Sequence, residues 1–204
     1  MPVVSNNPGT VNGRYVVGPN VYLSAMGYSA GGSRSGGIVA PRLVTLDRGL
    51  RLIRVYSTPG EEFGQWWVTR AELRAVFDYF SYAEGMGGSS AAALGRSKGR
   101  SILHGVLTIR HDWMDTRRGQ DPADHLSRFV EATVAEPLVA FAGAGYAAPS
   151  ADQSSVQKPL NLHGDAQGGL RQLFLPSCWE YKDAFEDVRL GFTDAGLRAA
   201  LHRP

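Results

Sequence analysis

The stretch Leu50–Val68, LRLIRVYSTPGEEFGQWWV, decides how the rest of the chain is read. Leu50, Leu52, Arg54 and Tyr56 alternate with Arg51, Ile53 and Val55, so a strand here puts Arg54 on an apolar face beside Leu52 and Tyr56. A guanidinium among apolar neighbours costs free energy unless it is paired, hydrogen-bonded or open to an anionic ligand. Two outcomes follow. Either Arg54 faces a cleft that takes an anion, or it pairs with Glu61 or Glu62 across the Ser57–Gly60 turn while Trp66 and Trp67 serve as core. A second run far downstream, GGLRQLFLP over Gly168–Pro176, reads as the partner of this strand.

Composition bounds the answer. A chain of 204 residues, 43% hydrophobic and 20% charged, is long and apolar enough for one globular domain with a substantial core. Its 21 basic and 19 acidic residues give a net charge of +2 without a long basic run, so no nucleic-acid footprint is expected. With Cys178 as the one cysteine, neither an intrachain disulfide nor a cysteine-based zinc site can form. No apolar run approaches the roughly 18 residues of a membrane span, and no basic leader precedes a hydrophobic core. Any export is therefore expected to use a route that needs no cleaved leader.

Taken in order, residues 1–45 are rich in Gly, Asn and Pro turns and read as a wrapping segment, with a brief strand candidate at Val21–Met26. Residues 46–204 are read as the body of one compact domain. Ile38–Leu46 and Leu50–Tyr56 look like two strands joined as a hairpin through Asp47–Gly49. Thr69-Arg-Ala-Glu72 is a capping box, and Leu73, Val76, Phe77 and Phe80 then recur at helical spacing. Residues 84–100 read as a surface loop and Ser101–Arg110 as a strand. Leu126 onward is ambiguous, with any helix ended by Glu136-Pro137. Further strands are expected at Leu138–Tyr146, Arg171–Pro176 and Asp187–Phe192, and a short closing helix at Asp194–His202, capped by Thr193. Six or seven short strands that do not alternate with helices predict an α+β fold around a mostly antiparallel sheet with few helices.

Several familiar sites fail on context. Gly143–Ala148 fits GxGxxA after a strand, but Pro149-Ser150 stands where a dinucleotide site needs a helix. Gly95–Ser101, GRSKGRS, lacks the order of a phosphate-binding P-loop. The five histidines show no metal-ligand spacing, so no metal is expected, and no GxSxG elbow is present. Cys178, beside Trp179, reads as a small buried thiol.

Four features remain: Arg54 on an early strand, the Gly64-Gln-Trp66-Trp67 strand, a strand opening Gly99-Arg100-Ser101, and the late Gly-Gly-x-x-Gln172-x-x-x-Pro176 strand. In that order they resemble the ADP-ribosyltransferase-like fold, and within it the necrotizing-toxin type of NAD glycohydrolase found among bacterial polymorphic and secreted effectors. The resemblance spans roughly Leu50–Pro176. It implies a split, mostly antiparallel sheet and, over residues 46–204, an NAD(P)+ glycohydrolase domain that cleaves the nicotinamide–ribose bond, with NAD, or NADP, as substrate, an immunity protein as partner and the cytoplasm of a producing or target cell as its location. It assigns Arg54 and Gln172 to catalysis and Tyr56, Ser57, Phe63, Trp66, Trp67 and Arg100 to NAD binding.

An arginine fork suits a pyrophosphate, an indole suits the nicotinamide ring, and groups holding the ribose hydroxyls lower the barrier to the ribosyl cation. In the related transferases a glutamate stands where this chain has Gln172. A carboxamide can hydrogen-bond a ribose hydroxyl but cannot act as a base, which favours hydrolysis over transfer. Glu180, eight residues on, is an alternative carboxylate. The alternatives are an ADP-ribosyltransferase acting on a macromolecule or small molecule, and a non-catalytic β-rich interaction module whose tryptophan pair binds a partner surface; for Gln172 itself the plain reading is a polar residue at a strand start facing solvent with Arg171.

Overall fold

The computed structural model describes residues 9–11, 15–17, 21–28, 36–85, 128–146, 148–149, 156–157, 170–193 and 195–203. Its elements are β1 (Gly9–Val11), β2 (Tyr15–Val17), α1 (Val21–Ala25), β3 (Arg42–Leu46), β4 (Arg51–Tyr56), β5 (Trp66–Thr69) and α2 (Arg70–Gly85). They continue as β6 (Arg128–Val134), β7 (Leu138–Ala144), β8 (Ala148–Pro149), β9 (Val156–Gln157), β10 (Arg171–Phe174), β11 (Phe185–Phe192) and α3 (Ala195–Leu201). Seven strands form one sheet in the order β11-β6-β4-β5-β10-β7-β3, and every pairing in it is antiparallel. This is the expected α+β class.

The sheet is bent, and chain connectivity shows why. β6 and β7 are four strand spacings apart in the sheet, roughly 19 Å if it were flat. The link between them, residues 135–137, spans at most about 14 Å. The sheet must therefore curl until its halves face each other. The hinge is weak pairing at the centre, because β4 and β5 share only Leu52↔Thr69 and Ile53↔Val68 before they part. Inside the curl, Leu46, Leu52, Val130, Ala132, Leu138, Ala140, Leu173, Trp67 and Tyr181 form one core cluster.

On the outer face, Ile53, Val55, Val68 and Phe129 pack beneath Leu73 and Val76 of α2 and Leu197, Ala200 and Leu201 of α3. These helical residues fall three and four apart, the spacing of one buried stripe. The capping box forms as expected: the Thr69 hydroxyl accepts the amide of Glu72 at 3.2 Å and donates to its carboxylate at 2.5 Å. A third cluster on the outer face joins Ala25, Ile38, Phe141 and Phe174, with Tyr22 edge-on to Phe141.

Two expectations are corrected and one open reading is resolved. Val21–Ala25 is a helix, not a strand, and its Ala25 is fully buried. β3 and β4 do not form a hairpin. β3 pairs with β7 at one edge of the sheet while β4 lies between β6 and β5, and the turn through Gly49, at φ 85°, carries the chain from one half of the curl to the other. The ambiguous run after Leu126 is a central strand, since Phe129, Val130, Ala132 and Val134 are buried on both faces. β3 also crosses residue 45, and Ala25 and Ile38 lie in the core, so the amino-terminal segment contributes to packing. The strand expected at Ser101–Arg110 and the site residue Arg100 lie outside the described residues.

Candidate functional site

Directly opposed residues of antiparallel strands share a face. Gln172 opposes Val68, and Val68 opposes Ile53, so Gln172 lies on the outer, helix-covered face. Arg54, one residue beyond Ile53, opposes Val130 of the inner cluster and so lies on the inner face. The expected convergence of Arg54 and Gln172 on one crevice is therefore corrected: β5 separates their strands, and the two groups leave the sheet in opposite directions. The adjacent tryptophans divide likewise. Trp66 opposes Phe174 and joins the Gln172 face, whereas Trp67 opposes Leu173 and joins the Arg54 face.

The inner group is packed. Trp67 is buried, stacks on Phe185 at 5.5 Å between centroids, and donates its indole N–H to the Gly64 carbonyl at 2.7 Å. Phe63 fills the space beside both rings. Arg54 donates from Nε to the Glu61 carbonyl at 3.0 Å and from Nη1 to the Trp66 carbonyl at 3.3 Å. It thus bridges the opening where β4 and β5 part and fastens the 57–66 loop. Burial lowers its pKa, opposed by the nearby Glu61 carboxylate.

Burial likewise raises the phenol of Tyr56, and the charge of Glu62 adds to this. Glu62 is held below the usual carboxylate range, first by the amide of Gly60 at 2.9 Å. Ser57 opens this loop and is half-buried. Beside Trp67 and Arg54, burial pushes the thiol of Cys178 up to about 12.

The outer group sits at a seam. Along β10, Leu170 belongs to the cluster under α2 and α3, Phe174 belongs to the α1 cluster, and Gln172 stands between them. Gln172 is 4% exposed, so the solvent-facing reading is excluded. Trp66, half-buried, lies 4.8 Å from Phe174 between ring centroids. Gly143 opposes Gln172 on the other side, and a Cβ there would stand 2.5 Å from Ile38 Cγ2, so the Ile38–Val39 segment crosses closely over β7. At the near end, Arg171 pairs with Glu72 at 3.5 Å and ties β10 to the first turn of α2. This seam sets a buried carboxamide beside a half-buried indole, with the Ile38–Val39 segment filling the space over Gly143.

Sequence reasoning passed over Glu131, which is 4% exposed on the same outer face. Arg70 approaches it at 3.1 Å between Nε and Oε1. The contact is not aligned as a hydrogen bond, and among the described residues neither Arg70 Nε nor Glu131 Oε2 has a hydrogen-bond partner. Arg70 also donates to the carbonyls of Ala200, at 2.9 Å, and Arg203, fastening the end of α3. The signal was present in RFVEATV, where one acid interrupts an apolar run. Glu180 is exposed in a 3₁₀ turn at Cys178–Glu180, beyond the end of β10. Among the described residues no helix is long and apolar enough to cross a membrane, and no three metal-ligating side chains cluster.

No family model and no curated protein matches the chain. Among solved structures it is similar to Rhs1-CT in complex with its cognate immunity protein RhsI1, at a TM-score of 0.41 and 16% identity, covering 82% of this chain and 89% of that one.

Proposed function

We propose that this chain is a toxin-like effector that hydrolyses the nicotinamide–ribose bond of NAD+, and of NADP+. One observation carries the reading. The strands bearing Arg54, the tryptophan pair and Gln172 lie side by side as β4, β5 and β10 in the middle of the sheet, although β10 follows β4 by more than a hundred positions. The resemblance rests on those motifs in that order; of their side chains Gln172 and Trp66 share the outer face, while Arg54 and Trp67 lie on the inner one.

The register changes the division of labour. Gln172 and Trp66 are the groups assigned to the substrate, the carboxamide to the ribose hydroxyls and the indole to the nicotinamide ring. Arg54 is a positioning residue. It holds the loop that ends at Trp66 by that residue's own carbonyl. In the reaction the C–N bond breaks, nicotinamide leaves with the electron pair, water bonds to the ribosyl carbon, and its proton passes to solvent. A toxin of this kind requires an immunity partner in the cell that makes it.

The test is nicotinamide release from NAD+ by the purified chain. Release is expected, falling about 10²-fold or more in Gln172→Asn. A folded protein that releases none removes the reading.

A second reading, a non-catalytic interaction module, is favoured by the backbone carbonyls that occupy Arg54 and by the exposed apolar residues of β11. It expects no thermal shift with NAD+.

A further inference from the structure

We infer that β11 is a self-association edge, on which a second copy of this chain adds its own β11 in antiparallel register centred on Leu190. Among the described residues β11 ends the sheet and its one strand partner is β6. A sheet edge presents unpaired N–H and C=O groups, and folded chains guard it with charges, bulges or cover. The amino-terminal half of β11 is guarded. Pairing with β6 slips between Glu186 and Arg189, so Asp187 and Val188 together face Ala132, and Asp187 takes φ 51°. Past the bulge the ladder is regular, and the guard stops.

Val188, the second residue of the bulge, and Leu190 and Phe192 past it alternate onto one face and are 43%, 60% and 62% exposed. Three large apolar side chains in one row are the pattern of a surface that is covered in use. The occupant follows from symmetry. A two-fold axis normal to the sheet keeps each side chain on its own face and pairs residues of equal parity.

Centring the axis on Arg189 sets two guanidiniums against each other, and centring it on Val188 runs the ladder into both bulges. Centring it on Leu190 sets Leu190 against Leu190, Val188 against Phe192, and Arg189 against Gly191. That register opposes no like charges, joins the two apolar rows into one, and places each arginine across from the residue without a side chain. Arg128, 5.0 Å from the Phe192 ring, would then flank the joined row.

A five-residue edge buries less than the roughly 1,200 Å² of a standard interface, so the dimer is weak and concentration-dependent. Sedimentation equilibrium of the full chain is expected to show mass rising from monomer toward dimer as concentration rises, and Leu190→Lys is expected to stay monomeric. In the proposed register the two Leu190 Cα atoms lie about 4.5–5.5 Å apart, within disulfide reach. Oxidised Leu190→Cys should therefore form a covalent dimer and Val188→Cys should not, while the native Cys178 is fully buried and does not compete. Because both positions are exposed, circular dichroism should show each variant folded. A wild type that remains monomeric at every concentration, or cross-linking as fast at 188 as at 190, would overturn the inference. Capture of another protein's strand by a monomeric chain would overturn it too.

Discussion

The guanidinium of Arg54 lies flush against Gly64: a Cβ built on that glycine would stand 2.3 Å from Arg54 Cζ. The glycine is there because the arginine needs the space, and the arginine is there because it holds the carbonyls on either side of it. Gly64→Ala is therefore expected to cost about 1–3 kcal/mol by overpacking. In an Arg54→Ala background the same substitution should cost much less. Urea unfolding of the four proteins measures this coupling, and equal costs in both backgrounds would show that the contact is not what restricts residue 64.

The positioning role of Arg54 separates from phosphate binding by choice of substrate. Nicotinamide mononucleotide keeps the scissile bond but lacks the pyrophosphate of NAD+. Arg54→Lys, which cannot reach both carbonyls at once, is expected to slow nicotinamide release from the two substrates by the same factor. A loss confined to NAD+ would return Arg54 to the pyrophosphate. Trp66→Ala should raise KM, and Gln172→Asn should lower kcat.

Arg70 and Glu131 should be costly to separate and inexpensive to replace together. Their side chains are 13% and 5% exposed, so Arg70→Ala strands a buried carboxylate and is expected to lose about 3–5 kcal/mol. Replacing both with apolar residues, Arg70→Met with Glu131→Leu, should recover most of that loss. A double-mutant cycle in urea measures it, and additive losses would mean that the two charges do not depend on each other.

Cys178 should report folding and alkaline stability. Its folded pKa of about 12 stands above the ordinary value of 9.0, so the native state holds the proton after the unfolded chain has released it. The resulting stabilisation is complete below pH 9.0 and is lost as pH rises toward about 12, by about 1.4 kcal/mol per pH unit within that window. Cys178→Ala removes this contribution while other groups still titrate, so its stability should fall less steeply than that of the wild type from pH 9 to 11. Identical slopes would refute the assignment. Thiol reagents should label the wild type only after unfolding.

The strands with clear alternation were legible because period-2 burial is a local property: β4 with its two faces, β5 with its tryptophans, β10, and the capped helix α2. The helix at Val21–Ala25 was not, since five residues are too few to show helical spacing. β6 was obscured by Glu131, whose acid breaks an otherwise apolar strand and is tolerated only because Arg70, sixty positions earlier, reaches it.

By itself the sequence determined the class of fold, the face of β4 on which Arg54 rides, and the capping of α2, all of which depend on neighbours a few residues away. It determined two strands rich in site-like residues but not their mutual orientation. Only the tertiary structure decided that Arg54 points inward and Gln172 outward, because facing is set by register, and a slip of one residue between β5 and β10 would reverse it. That register comes from burying Val68, Leu173 and Ile53 on their proper sides of a curled sheet. It is a sum over many long-range contacts that no short stretch of the chain contains.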